Sequence, residues 1–69
     1  MKTTVSKDQN IGTTFTGLIA AAFNVEDCRD IRIPAMLQDP RHGMGTIYVG
    51  ETAYDWFDRG DSVDFMEAV

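Results

Sequence analysis

The chain has 69 residues, enough for one domain (1–69), and a net charge of −5. A single cysteine excludes an intramolecular disulfide, and the lack of a basic patch argues against direct binding to nucleic acid or an anionic membrane. The charge is unevenly placed: residues 51–69 hold six acids against Arg59 alone, so this C-terminal stretch carries the whole net charge.

Residues 1–10, MKTTVSKDQN, are polar and lack the apolar run of a signal peptide, so a flexible N-terminus and a reducing, cytoplasmic location are expected. Ile11, Phe15, Leu18, Ile19, Ala22 and Phe23 then form one apolar stripe at period 3.6, which predicts a helix. Its start has two candidates: a capping box from Ser6 to Gln9, or a later cap at Thr13 or Thr14. Asn24 suits its C-terminal end. The longest apolar stretch, FTGLIAAAF, falls well short of the ~20 residues a membrane span needs.

Ile31 and Ile33 flank Arg32 and predict a short strand, which Pro34 ends or confines to an edge. LQDPRHGMG reads as a loop, and TIYVG as a second strand pairing antiparallel with the first. Beyond Gly50, Thr52 and Asp55 fit a helix cap, Ala53, Trp56 and Phe57 share a helical face, and Gly60 suits a C-cap. A second helix would then hold Val63, Phe65, Met66 and Val69; one helix continuing through Gly60 would cost about 1 kcal/mol. The expected fold is a small α+β domain: an N-terminal helix, a two-stranded antiparallel hairpin, and one or two C-terminal acidic helices (α-β-β-α-α). Self-association into a homodimer would extend so small a core.

The C-terminal acids are evenly spaced: Asp55, Asp58, Asp61, Asp64 and Glu67 stand at every third position, preceded by Glu51. On helices this is one charge per ~4.5 Å of axis, close to the ~3.4 Å of one DNA strand. The row then reads either as an ordinary solvated face or as a ligand for a basic partner. Tyr54, turned outward beside it, would be an aromatic anchor within an acidic rim. The candidate partner-binding set is therefore Glu51, Tyr54, Asp55, Asp58, Asp61, Asp64 and Glu67.

Other chemistry finds little support. A calcium loop needs acids at alternate positions, which the spacing of three does not give. Zinc needs several Cys or His ligands, and the chain has one of each, Cys28 and His42. Cys28 reads as a small buried or half-buried residue, and His42 as an exposed loop residue. A Cys28–His42 nucleophilic pair would lack an oxyanion donor and a third group. Arg59-Gly60-Asp61 is too short to signal adhesion, and Arg59 is expected to pair with Asp55. No catalytic, metal or cofactor site is expected.

In length, acidity and lack of catalytic residues the chain resembles small phage-encoded inhibitors, anti-CRISPR proteins among them; the resemblance is one of type and rests on no motif. The placement of the acids leads to the first expectation, a non-enzymatic inhibitor or modulator whose acidic C-terminal face occludes the basic surface of a nucleic-acid-handling protein. The alternative is a structural, assembly or regulatory subunit that binds through an apolar surface or a strand edge.

Overall fold

Among the described residues Phe15–Phe23 form the single α-helix, α1, and its ends follow from two side chains. Thr14 caps the start, its hydroxyl accepting from the Gly17 amide at 3.1 Å. Asn24 closes the end in the left-handed conformation, its N–H donating to the Ala20 carbonyl. The later of the two expected starts is therefore the one used. The Ser6 hydroxyl instead accepts the Gln9 amide at 3.4 Å, over a short 3-10 turn at Asp8–Asn10.

The computed structural model describes residues 2–68. Beside α1 it contains six strands in one antiparallel sheet: β1 (Lys2–Ser6), β2 (Ile31–Arg32), β3 (Gln38–Asp39), β4 (Met44–Val49), β5 (Thr52–Asp58) and β6 (Ser62–Glu67). Their order is β1-β6-β5-β4-β2, with β3 also on β4. β1 comes from the stretch expected to be flexible, and the expected pairing of β2 with β4 is present.

The α-β-β-α-α arrangement is overturned at its C-terminal end. Residues 52–67 are a β-hairpin, not helices. The reason lies in a second periodicity. Tyr54 and Trp56 alternate with Asp55 and Phe57, and Val63 and Phe65 with Asp64 and Met66, which is period two in β-favouring residues. Gly60, read as a helix C-cap, has φ 96° and sits in the β5–β6 turn, where its amide donates to Asp58 Oδ1 at 2.8 Å. Val69, assigned to the apolar set, lies outside the described residues.

α1 lies on one side of the sheet and closes the core there. Phe15 packs edge-on to Trp56 with ring centroids 5.0 Å apart, and Phe23 meets Phe65 at 5.4 Å and Tyr54 at 4.4 Å. Ile19, Ile47 and Phe65 are the most deeply buried side chains, with Val5, Ile31, Trp56 and Val63 around them. Trp56 is fixed further by its indole N–H, which donates to Gln38 Oε1 at 2.7 Å. That contact crosses directly over Gly45, where a Cβ would stand 2.6 Å from Trp56 Nε1 and against Gln38 Oε1, so any larger residue must push one of them aside.

Candidate protein-binding face

Three residues along a strand reverse the side of the sheet, whereas on a helix they turn by only ~60° from alignment. The acid row is therefore split. Asp55 and Asp64 lie on the side away from α1, Asp58 and Glu67 on the α1 side, and Asp61 in the β5–β6 turn. Glu51 sits in the β4–β5 turn at the far end of β5. Tyr54 does not stand outward beside them; it packs against Phe23.

Three of these acids are engaged within the molecule. Asp64 is buried, 4% exposed. It accepts from the Thr4 hydroxyl at 2.7 Å and from Arg59 Nε at 2.9 Å, with Lys2 Nζ at 3.6 Å. Arg59 thus pairs with Asp64 and not with Asp55, because four residues along an extended chain lie too far apart for the helical pairing. Asp58 receives Lys7 Nζ at 2.7 and 2.8 Å. Asp55 accepts from the hydroxyl of its cross-strand neighbour Thr46 at 2.8 Å.

These contacts set the acidities. The Thr4 hydroxyl, then Lys2 and Arg59, hold the Asp64 carboxyl below its ordinary range, against an opposing push from burial. The Lys7 hydrogen bond, with help from the Gly60 amide, does the same for Asp58. Asp27 is lowered by Arg29, which wraps it from two residues away.

The side of the sheet away from α1 has no covering layer among the described residues. Cross-strand register sets its layout. Lys2, Met66, Asp55 and Thr46 form one line across β1, β6, β5 and β4. Thr4, Asp64, Phe57, Met44 and Asp39 form the next. Ala53, Tyr48 and Arg32 form a third, with the Arg32 guanidinium 4.7 Å from the centre of the Tyr48 ring. Met44 is 41% exposed and Met66 45%, with half-buried Phe57 between their strands. Lys2, Arg32 and Arg59 balance Asp39, Asp55 and Asp64, so this open face is neutral and the net charge of −5 lies elsewhere on the molecule.

Two recesses flank the sheet. One, of about 370 Å³ on the α1 side, is walled by Phe15, Leu18, Ile33, Trp56 and Val63, with the Lys7–Asp58 pair at its rim. The polar side chains around it are already hydrogen-bonded to the protein, Gln38 to Trp56, Pro34 and Thr46. The other is a groove of about 310 Å³ on the open face, lined by Leu37, Asp39, Met44, Thr46, Asp55 and Phe57.

Among the described residues no three His, Cys, Asp or Glu side chains gather as a metal site. Cys28, expected to be buried or half-buried, is exposed on a 3-10 turn, and His42 is exposed with Nδ1 2.8 Å from Asp39 Oδ2. No described helix is long and apolar enough to cross a membrane. No protein-family model matches the chain, and neither a curated protein nor a solved structure does. The sequence reading missed Asp39, Met44, Thr46, Phe57 and Met66 as site candidates. The alternation within β4, β5 and β6 is the signal that places most of them on one face.

Proposed function

We propose that the chain is a non-enzymatic protein-interaction domain that docks on a basic, nucleic-acid-handling protein through the open face of its sheet. The observation that carries the reading is this uncovered face, with Met44, Phe57, Tyr48 and Met66 among charges that are already balanced. Large apolar side chains gathered on an uncovered surface are the usual mark of a protein contact. The acids outside that face, Glu51, Asp61 and Glu67 among them, give the molecule a negative field that steers a basic partner toward it. Length and acidity suit an inhibitor or modulator of the phage-encoded, anti-CRISPR-like type acting in the cytoplasm.

The narrower idea, a continuous acidic row imitating nucleic acid, has less support. Alternation distributes the row over two sides, and Lys7, Arg59 and Lys2 already neutralise Asp58 and Asp64. The two versions differ in salt response. At about 0.05 M and 0.5 M salt the screening length differs about threefold, so a contact made by exposed acids weakens strongly while one with an apolar centre persists. The test is capture of a partner by the native chain, by Met66→Glu, and by a Glu51→Gln, Asp61→Asn, Glu67→Gln variant. Retention at high salt, lost with Met66→Glu and kept with the triple variant, supports the open face. Loss with the triple variant alone, and with salt, overturns it.

A further inference from the structure

We propose that the groove between β3 and β5 on the open face seats one lysine or arginine side chain of a protein partner. The inference rests on the reading of this face as the docking surface and names what the surface grips.

The groove pairs two kinds of wall. Leu37, Met44 and Phe57 are apolar, and Leu37 and Met44 are 45% and 41% exposed. Asp39 and Asp55 supply carboxylates, and among the described residues no Lys or Arg lines the groove. A lysine or arginine side chain has the matching shape, an aliphatic stem ending in a cation. The face's own cations are committed elsewhere: Arg59 and Lys2 to Asp64, and Arg32 to the Tyr48 ring. Asp64 thus has two cations beside it, whereas among the described residues the one side-chain partner of Asp55 is the neutral Thr46 hydroxyl, on Oδ1. Asp39 engages His42 through Oδ2. Among the described residues, one oxygen of each groove carboxylate therefore stays outside the side-chain hydrogen bonds. The volume of about 310 Å³ holds a single long side chain with room for water at its head.

The fit follows charge complementarity and not acidity alone. Glu51, Asp61 and Glu67 are also acidic, but each is exposed at a turn or strand end and none of them lines this groove. A cation there keeps its full hydration, and such exposed pairs contribute little. In the groove the stem is covered as well as the charge matched.

The test is a titration of the isotopically labelled full chain by NMR, using the blocked tripeptide acetyl-Leu-Arg-Leu-amide and its twin with citrulline, the neutral isostere of arginine. The expected result is a set of shifts centred on Met44, Thr46, Asp55 and Phe57, at millimolar affinity. The citrulline twin binds about two- to fivefold more weakly, the scale of a partly exposed ion pair. Asp55→Asn gives the same loss; its amide oxygen still accepts from Thr46, so the sheet is kept, as the unchanged spectrum of the free variant verifies. Equal binding of the twin, shifts confined to the Glu51 and Asp61 turns, shifts that follow protein concentration instead of peptide, or no shifts up to about 10 mM overturn the proposal. The broader reading fails separately: a partner captured equally by the native chain and by Met66→Glu refutes the open face as docking surface, whatever the peptides do.

Discussion

The two sides of the sheet are built from the same strands yet have opposite compositions. Toward α1 the buried side chains are Val5, Ile47, Trp56, Val63 and Phe65, closed over by Phe15, Ile19 and Phe23, with the acids Asp58 and Glu67 exposed at the strand ends. Away from it they alternate apolar with charged, Met66 beside Asp55 and Phe57 beside Asp64, and the charges are balanced within the layer. A layer needed only for stability has no use for exposed methionines, and one needed only for solubility has no use for a buried carboxylate. The covered side supplies the stability of a domain too small to have much in reserve, and the open side is the one we propose for recognition. Substitutions should therefore separate cleanly, folding on one side and binding on the other.

The sharpest way to break that division is at its deepest point. Phe65→Ala removes a ring that is 1% exposed and touches both Phe15 and Phe23, and should cost about 3–5 kcal/mol in denaturant unfolding. A loss near zero would mean that the α1 side is not the core. Gly45→Ala comes next, at about 1–3 kcal/mol, because the new methyl must push Trp56 or Gln38 aside. The fluorescence of Trp56, the only tryptophan, should shift with it as the indole loses its acceptor.

A smaller effect is expected from acid. Asp58 and Asp64 have carboxyls lowered by their partners, so the unfolded chain takes up those protons first as pH falls. Their contribution is complete above the unfolded value of about pH 4 and fades as pH drops toward the lowered folded values. Thr4→Val removes the first cause of the Asp64 shift and should move the acid-unfolding midpoint upward, read by circular dichroism across that range. The smallest effect is on the open face itself. Met66→Thr, at a position 45% exposed, should change stability by no more than about 0.5 kcal/mol while weakening capture of the partner. A large stability loss there would erase the contrast between the two sides.

How far the sequence could be read depended on which periodicity each segment obeys without ambiguity. The stripe through Phe15, Ile19 and Phe23 has only a helical solution, and α1 with its Thr14 and Asn24 ends follows from it. Ile31–Arg32 and the residues around Ile47 likewise follow from their composition. TAYDWFD is compatible with both periods: Ala53, Trp56 and Phe57 share a helical face, while Tyr54 and Trp56 share a strand face. Tertiary pairing decided, since β5 gains neighbours on both edges, β4 and β6, that a helix would forgo. The error then carried into the site. A spacing of three that gathers acids on a helix disperses them on a strand, so Asp55 and Asp58 parted while Asp55, Phe57 and Met66 came together. The acidity of the C-terminal stretch was legible; the surface it belongs to depended on the strands.

The central claim is that the open face, and not the acid row, meets the partner. Methyl NMR of methionine-labelled protein tests it most directly, because Met44 and Met66 both lie on that face. On adding a captured, purified partner, both methyl signals should shift or broaden, and they should do so at high salt as well as low. If the partner binds while Met44 and Met66 stay unchanged, and amides near Glu51 and Asp61 respond instead, the contact is made by the acidic turns and the account is wrong.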